Sequence, residues 1–311
     1  MGLTTSGGAK ALEQLPKTEK ASSGKTEPHN QATPLPDKPL FVIERSNAWT
    51  PTNLKEFWAA RELLYFLIWR DVKVRYKQTF LGVSWVLIQP LMLILIFTLF
   101  FGRLVGLEKL TGGVPYPIFA FAGLLPWMFF SNALSNSSNS LVASANLITK
   151  VYFPRIIIPM AAVMAGLVDL GIAGLVFGVM MVYYRVAVSW NLLMLPGLVI
   201  LVALLALGTG MILSAVNVKF RDVRHALPFI VQVWMFASPV IYPTTIVPER
   251  WHWMLALNPL SGIIEGFRSA LLGHKPMNWR LLAISAAVTL IILVYSAFAF
   301  KRMEREFADV I

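Results

Sequence analysis

Four cations stand directly before an apolar run that carries no charge, and this junction limits what the chain can fold into. The cations are Arg70, Lys73, Arg75 and Lys77, and the run occupies residues 83–101. A helix rises about 1.5 Å per residue, so a run of this length can cross the roughly 30 Å of hydrocarbon in a bilayer. The junction therefore predicts a membrane-spanning helix whose first end lies at a charged membrane surface.

The composition indicates that lipid surrounds most of the chain. Hydrophobic residues make up 57% of the 311 residues and charged residues only 14%, which is too few for the surface of a soluble protein of this size. The formal net charge is +11, but the basic residues stand between apolar runs, so we expect membrane lipids as partners and no nucleic acid. Because the chain contains no cysteine, it has no disulfide framework and no thiolate metal site.

Six apolar runs predict six transmembrane helices. They occupy residues 83–101, 118–134, 156–184, 192–216, 226–242 and 281–300. Residues 243–280 are neither plainly lipidic nor plainly soluble, and their lengths fit two half-length helices that enter the bilayer and return. We therefore expect an all-α, polytopic membrane protein with six transmembrane helices and a re-entrant helical pair between spans five and six.

The chain before the first run divides into a tail and a helix. Residues 1–50 are polar and contain several prolines, so we predict a disordered cytoplasmic tail, with residues 51–311 forming one transmembrane domain. Asn53 and Glu56 have the spacing of a capping box, and apolar residues recur at helical spacing over residues 54–69. This pattern favours an N-terminal interfacial helix in the headgroup plane, with a soluble-core helix as the alternative.

Two polar features interrupt the apolar runs. Asp169 lies near the middle of the third run, where a carboxylate must face the bundle or be protonated, and a structural hydrogen bond is favoured over a role in transport. Residues 135–140 read Ser-Asn-Ser-Ser-Asn-Ser. Such a run lines a hydrated cavity, hydrogen-bonds a neighbouring helix, or lies outside the bilayer, and the sequence leaves these three alternatives open.

The distribution of Lys and Arg predicts the orientation. If the six runs span, the larger group of basic residues falls on one side: Arg61, Arg70, Lys73, Arg75, Lys77, Lys150, Arg155, Lys219, Arg221, Arg224, Lys301, Arg302 and Arg305. The smaller group, on the other side, comprises Arg103, Lys109, Arg185, Arg250, Arg268, Lys275 and Arg280. The positive-inside rule therefore places both termini in the cytoplasm.

The sequence offers no catalytic or metal-binding motif. Between residues 83 and 300 the acidic side chains are far apart, and the four histidines show no metal-ligand spacing. No Gly-rich loop with a suitably placed lysine is present, because Gly24-Lys25-Thr26 lacks the upstream glycine of a phosphate-binding loop. If ATP drives this protein, another chain binds it.

Several short motifs follow one another along the chain. The first group is Arg-Asp, Val-Arg-Tyr-Lys-Gln-Thr, Leu-Gly and Gln-Pro within residues 69–90. The others are Asn-Leu-Ile-Thr-Lys-Val-Tyr-Phe-Pro-Arg at residues 146–155, Arg-Asp-Val at 221–223, Ser-Pro-Val-Ile-Tyr-Pro at 238–243 and Asn-Pro at 258–259. In this order and spacing, the motifs resemble those of the membrane subunit of type 2 ABC transporters that export O-antigen, capsule or teichoic acid chains.

The resemblance implies a permease subunit that moves lipid-linked polysaccharide from the cytoplasm across the bacterial inner membrane. It also implies a homodimer that works with two copies of a separate ABC ATPase. ATP and Mg would then be bound by that ATPase, and this chain itself would hold no cofactor and no metal.

The resemblance, together with the chemistry of the side chains, suggests four sets of site residues. For coupling to the ATPase the candidates are Asn146, Leu147, Ile148, Lys150, Arg155, Lys219, Arg221 and Asp222. Arg70, Lys73, Arg75 and Lys77 would attract a lipid headgroup or pyrophosphate. Aromatic candidates for the translocation path are Tyr76, Phe80, Trp85, Trp127, Phe129, Phe130, Trp234 and Phe236, and Trp251 and Trp253 would close the outer mouth.

Two other functions fit parts of the same sequence. One is a type 2 ABC exporter of a small molecule or lipid. The other, from a different class, is a membrane glycosyltransferase or polymerase that acts on lipid-linked sugars, and the scattered acidic residues make it the weaker alternative.

Overall fold

The computed structural model describes residues 58–77 and 84–304, with Trp85 and Val86 described by their backbone alone. Within these residues the chain is helical and has no strand, which confirms the all-α class. The tail predicted over residues 1–50, the helix cap at Asn53 and the path candidate Phe80 lie outside the described residues.

Ten α-helices account for most of the described chain. They are α1 (Arg61–Lys77), α2 (Ser84–Phe97), α3 (Tyr116–Ala143), α4 (Ala145–Lys150), α5 (Ile157–Tyr183), α6 (Leu195–Lys219), α7 (Val223–Ala237), α8 (His252–Leu257), α9 (Pro259–Leu272) and α10 (Trp279–Glu304). A π-helical turn over Thr98–Leu104 extends α2, and short 3-10 turns precede α6 and α8.

Five helical stretches of the described chain are long and apolar enough to cross a membrane. They are Leu87–Leu104, Tyr116–Ala143, Ile157–Tyr183, Trp190–Lys219 and Trp279–Glu304, and they correspond to the first four predicted spans and the sixth. Pro159 lies in the first turn of α5, where it interrupts no hydrogen bond of the helix, so the third span is one continuous helix.

The helix α3 is the centre of the described bundle and packs against α5, α6, α7 and α9. The Phe121 ring lies 5.6 Å from that of Phe177 on α5, and the Phe130 ring lies 5.0 Å from that of Trp234 on α7. An added Cβ at Gly210 of α6 would lie 2.4 Å from the Ser137 hydroxyl oxygen. Small residues therefore let α3 and α6 approach closely, as they do in many membrane helix pairs.

One apolar cluster joins the ends of several helices. We call it the end cluster, and it consists of Leu67, Leu141, Ile148, Phe153, Ile157, Ile158, Ala161, Met211, Ala215, Val218 and Phe300. These residues come from α1, α4, the last turns of α3, α6 and α10, the first turns of α5, and, for Phe153, the connection between α4 and α5. The short connections at residues 144–156 and 219–222 therefore leave the bundle at the same end, which we call the basic end.

The predicted fifth run, residues 226–242, is helical only in its first part. The helix α7 has 15 residues, fewer than the roughly 20 that a membrane span needs. Trp234 packs beside Phe130 in the middle of α3, and the Tyr116 hydroxyl, in the first turn of α3, donates to the Ile241 carbonyl oxygen at 2.9 Å. Residues 238–242 therefore continue the path of α7, without helix, toward the end of the bundle opposite the basic end.

The helix α9 lies in the half of the bundle away from the basic end. All its residues are buried except Glu265, which is partly exposed. Asn258 caps its first turn by accepting from the Leu260 backbone NH at 3.2 Å, and its amide group donates to the Ser238 hydroxyl at 2.8 Å. Gly273 ends the helix with a φ of 63°, and an added Cβ there would lie 2.8 Å from Ser189, in the connection between α5 and α6.

Candidate functional site

The first coupling candidate is a short helix at the basic end. Within α4, Ile148 is buried in the end cluster, whereas Asn146 and Lys150 are exposed and Leu147 is partly buried. One apolar side chain thus anchors the helix and its polar side chains point outward. The Tyr152 side chain, just after α4, is 100% exposed.

The second coupling candidate is the turn between α6 and α7. Lys219, Arg221 and Asp222 are exposed, and backbone bonds from the His225 and Ala226 NH groups to the Asp222 carbonyl oxygen, both 3.0 Å, begin α7. Buried Asn217 donates to the Ser138 carbonyl oxygen at 3.0 Å and to the Asn139 side-chain oxygen at 3.3 Å. This amide joins the last turns of α3 and α6, so the two coupling candidates lie side by side.

Arg155 differs from the other coupling candidates because α10 engages it. Its backbone NH donates to Glu304 Oε1 at 3.3 Å, and its guanidinium donates to the Glu304 carbonyl oxygen. The contact attaches the start of α5 to the last turn of α10, and these two elements also meet in the end cluster.

The four cations of α1 have different surroundings. Arg70 pairs with the neighbouring Asp71 at 2.9 Å, whereas Lys73 and Lys77 are exposed. Arg75 forms an ion pair with Asp169 of α5. The two lysines therefore remain available to an anionic ligand, and the two arginines already have acidic partners.

Asp169 forms a charged cluster with two residues of α1. Its Oδ2 accepts from Arg75 Nη1, and its Oδ1 accepts from the Tyr76 hydroxyl. Burial, and next the hydrogen bond to Asp169, raise the pKa of Tyr76 above its ordinary value, so this phenol stays protonated as a donor. The hydrogen bond that was predicted for Asp169 is present, although its partners, more than 90 positions away, were not identified from the sequence.

The contacts of α1 show that it runs alongside α5. Leu67 packs with the first turns of α5 in the end cluster, and Arg75, eight positions later, reaches the middle of α5. At about 1.5 Å per residue, the two helices therefore run side by side in the same direction for roughly 12 Å. Only part of α1 contacts the end cluster, so this helix extends from the basic end along the side of the bundle.

The aromatic path candidates fall into three groups. Trp127, Phe129 and Phe130 are buried in the core around α3. Trp234 is partly buried and donates to the Asn258 side-chain oxygen at 3.1 Å, while Phe236 is 53% exposed. Tyr76 is engaged by Asp169, and the Trp85 side chain lies outside the described residues.

The polar run in α3 is divided between two faces. Ser137 and Ser138 are buried, and their positions adjoin Gly210 and Asn217 of α6. Asn136 is exposed, as is Asn132 one turn earlier, and both lie within a helix that is long and apolar enough to cross the membrane. One of the predicted alternatives is confirmed, because Asn139 in this run accepts a hydrogen bond from Asn217 of α6, and the other two alternatives stay predictions for the exposed face.

Arg268 holds the non-helical part of the fifth predicted span. Its guanidinium donates to the Val240 carbonyl oxygen at 2.8 Å and to the Tyr242 carbonyl oxygen at 3.3 Å, and it lies 4.0 Å from the centre of the Phe119 ring. Glu265 is 3.5 Å away, and the Arg268 side chain is only 1% exposed. Backbone carbonyls outside a helix need such partners at membrane depth.

Sequence reasoning counted Arg268 only as a charge that sets topology. The signal that could have revealed its role was the Pro239 and Pro243 pair, because a chain that cannot stay helical there must find other donors for its carbonyl oxygens. Gly123 leaves room for the contact, since an added Cβ would lie 2.7 Å from the Val240 oxygen.

One of the two predicted outer-mouth residues, Trp251, borders a cleft of about 550 Å³ at the end of α7. Trp251 is 45% and Trp253 59% exposed, and Trp251 contributes to the cleft wall. The wall comprises Trp234, Ala237, Tyr242, Val247, Trp251, Met254, Leu255, Leu257, Asn258 and Pro259. The wall is mostly apolar and aromatic, and the Asn258 amide and the Tyr242 hydroxyl are among its polar groups.

Comparison with known proteins gives one family and several relatives. The sequence profile described as ABC-2 type transporter matches residues 62–272. The O-antigen export system permease protein RfbA of Myxococcus xanthus is 29% identical over 258 residues, covering 82% of this chain and 98% of that protein. A protein of the same name from Klebsiella pneumoniae is 28% identical, covering 80% and 95%. The polysialic acid transport protein KpsM of Escherichia coli is 26% identical, covering 73% and 88%.

Proposed function

The chain belongs to the ABC-2 type transporter family, and from this membership we propose that it is the permease subunit of an ATP-driven exporter of lipid-linked polysaccharide. The names of the O-antigen and polysialic acid proteins support this cargo, because they match most of the chain and most of their own length. ATP and Mg are bound by a separate ABC ATPase, and the chain itself performs no chemistry.

The observation that carries the proposal is the juxtaposition of the two basic coupling candidates at one end of the bundle. Lys150 on α4 and Arg221 in the turn before α7 are exposed, and the Asn217 amide joins the helices that precede them. A partner that docks there would contact two loops at once and could move α3 and α6 together. The acidic residues between positions 83 and 300, in contrast, are far apart in the sequence, which disfavours a glycosyltransferase site.

Co-purification with a candidate ATPase tests the proposal. The chain and the ATPase encoded nearest to it are co-expressed, and ATP turnover is measured in lipid nanodiscs with and without lipid-linked polysaccharide. We expect a stable complex whose turnover the glycolipid stimulates. Lys150→Glu combined with Arg221→Glu should reduce that stimulation at least several-fold, because both changes reverse charge at the proposed docking surface.

The matched control for this experiment is Lys109→Glu, a reversal of an exposed charge in the connection between α2 and α3. It should leave both assembly and stimulation unchanged. Full assembly and full stimulation in the Lys150 and Arg221 double variant would contradict the coupling assignment. Stimulation by a hydrophobic drug, and none by glycolipid, would favour an exporter of small molecules.

We propose that the fifth crossing consists of α7 followed by residues 238–242, which completes six spans. The re-entrant pair is then α8 and α9, entering and returning at the end opposite the basic end. The contacts of Asn258 with Trp234 and Ser238, and of Gly273 with Ser189, support this path. With the basic end in the cytoplasm of a bacterial cell, both termini lie inside and the cleft beside Trp251 opens outward.

We propose a homodimer that works with two ATPase copies and in which the open face of α3 borders the polysaccharide path. Asn132 and Asn136 are exposed on a helix that is apolar enough to cross the membrane, and their amides need water, sugar hydroxyls or a second protein chain as partners. Among the aromatic candidates whose side chains are described, Phe236 is exposed and could contact the sugar chain, and Trp251 and Trp253 would close the outer mouth. The exposed Lys73 and Lys77 would attract the pyrophosphate of the lipid carrier.

A further inference from the structure

In the charged cluster of Arg75, Tyr76 and Asp169, two hydrogen-bond donors that could bind a phosphate group are bound instead by the Asp169 carboxylate. Both Asp169 oxygens are engaged, one by a guanidinium and the other by a phenol hydroxyl. Arginine and hydroxyl donors suit phosphate oxygens equally well, because phosphate also presents several acceptors around one anionic centre. The carboxylate therefore occupies donors that an anionic headgroup could use.

The attachment of α1 to the bundle has two parts of different chemistry. Leu67 is the one buried residue of α1, and it is held by apolar contacts in the end cluster. Beyond it, the contacts with Asp169 are polar, and the side chains of Lys73, Val74 and Lys77 are exposed. An anion that replaced Asp169 would therefore release the second half of α1 and leave the first half in place.

Two further cations surround these donors on the same helix. Lys73 and Lys77 are four positions apart and so lie on one face of α1, and both are exposed. A ligand with two phosphate groups could contact these lysines before it reached Arg75. Asp169 is 17% exposed, so the cluster can be approached from outside the bundle.

We propose that Asp169 is an internal competitor for a phosphate site, and that the diphosphate of a lipid-linked substrate displaces it from Arg75 and Tyr76 and thereby releases the second half of α1 from α5. This inference rests on the proposed function, because it assigns the ligand to the exporter's cargo. Through this displacement the substrate would change the position of α1, which starts at the basic end.

Competition between Asp169 and the ligand predicts whether removal of the Asp169 charge strengthens or weakens ligand binding. When an internal group occupies the site for most of the time, the apparent affinity of the ligand is reduced by the small fraction of molecules in which the site is open. Removal of the Asp169 charge should then tighten binding. A purely structural role for Asp169 predicts the reverse, because α1 would lose its attachment and its cations would no longer be held together.

Binding of a polyprenyl diphosphate without sugar tests this sign. The full chain is placed in nanodiscs of zwitterionic phosphatidylcholine, and the probe is titrated into the unchanged chain and into Asp169→Asn, Arg75→Gln and Lys109→Gln. Asp169→Asn keeps the side-chain shape and should bind roughly 3- to 10-fold more tightly. Arg75→Gln should bind about tenfold more weakly, and Lys109→Gln, which removes an exposed cation far from the cluster, should not change. Equal or weaker binding by Asp169→Asn would overturn the proposal.

A distance measurement tests the release of α1 independently of affinity. Because the chain has no cysteine, spin labels can be attached at Val74→Cys on α1 and Leu175→Cys on α5, which are 55% and 73% exposed. The probe should lengthen and broaden the distance between the labels, and Asp169→Asn should do so without the probe. An unchanged distance at saturating probe would overturn the proposal.

Two further arms identify the source of the phosphate. Inorganic diphosphate that reproduces the change in distance supports a site for the headgroup itself. If phosphatidylglycerol changes the distance between the labels and neither polyprenyl diphosphate nor inorganic diphosphate does, the assignment of the site to the substrate is overturned. Failure of the proposed function would show itself differently, as a chain that binds the probe and releases α1 but never associates with an ATPase.

Discussion

Arg268 is a buried charged residue whose guanidinium binds backbone carbonyl oxygens. It is the largest of the fully buried side chains in the described residues, and both of its terminal nitrogens donate to carbonyl oxygens of the non-helical segment after α7. Lysine could not replace it, because a single ammonium on a flexible chain cannot reach two carbonyls with fixed geometry. The segment at residues 238–242 therefore depends on this guanidinium for its path.

We expect Arg268→Lys to reduce the free energy of unfolding by about 2–4 kcal/mol, since an unpaired buried carbonyl costs about 1–3 kcal/mol. Thermal unfolding of the purified chain in detergent would measure the change. Arg250→Lys is the matched control, because Arg250 is exposed and its loss should leave the unfolding temperature nearly constant. Equal stability of the two variants would show that the carbonyl contacts contribute little.

A second residue-scale prediction concerns the close approach of α3 and α6. Gly210→Ala should destabilise the chain by about 1–3 kcal/mol, because the new Cβ would lie 2.4 Å from the Ser137 oxygen and 2.7 Å from its Cβ. Gly171→Ala, at a helical glycine of α5 with no atom within 4 Å of the new Cβ, should be neutral or slightly stabilising. The same unfolding measurement compares them, and a neutral Gly210→Ala would mean that the helices can separate at no cost.

At the scale of elements, the sequence predicted most helices and few of their contacts. The third, fourth and sixth apolar runs match α5, α6 and α10 to within about four residues, because length and hydropathy are local properties. The second run was predicted to end near residue 134, yet α3 continues to Ala143, since its serines and asparagines face α6 or an open side instead of ending the helix. The pairing of Asp169 with Arg75 is a long-range contact that no local pattern reports.

Two adjacent residues of α1, one buried and one exposed, test how this helix is attached to the bundle. Leu67→Ala should free the first half of α1 from the end cluster, because this side chain is 1% exposed and its truncation removes about 2–3 kcal/mol of apolar contact. Phe66→Ala removes a larger side chain that is 61% exposed and should have little effect. Limited proteolysis of the purified chain reports both variants, and faster cleavage within α1 is expected only for Leu67→Ala.

At the scale of the whole molecule, the two ends of the bundle differ in character. The basic end carries the coupling candidates and the end cluster, and the opposite end carries Arg268, the capped helix α9 and the aromatic cleft. This polarity was predictable from the distribution of Lys and Arg. The cleft and the buried guanidinium were not, because they depend on how residues 238–272 fold back on α3.

The absence of cysteine allows the orientation to be tested directly. Tyr152→Cys lies at the basic end and Arg250→Cys lies at the opposite end, and both original side chains are exposed. In intact inner-membrane vesicles of known orientation, an impermeant maleimide should modify Tyr152→Cys only from the cytoplasmic face and Arg250→Cys only from the other. Modification of both from one face would contradict six crossings between the termini.

The Asn217 amide affects how α3 and α6 can move relative to each other. Because it bonds the final turns of α3 and α6 to each other, a displacement that enters through α4 also displaces the turn that carries Arg221, and the reverse holds. An attached ATPase would therefore displace α3 and α6 together, and Asn217→Ala should weaken this coupling, so that less cargo is moved for each ATP hydrolysed.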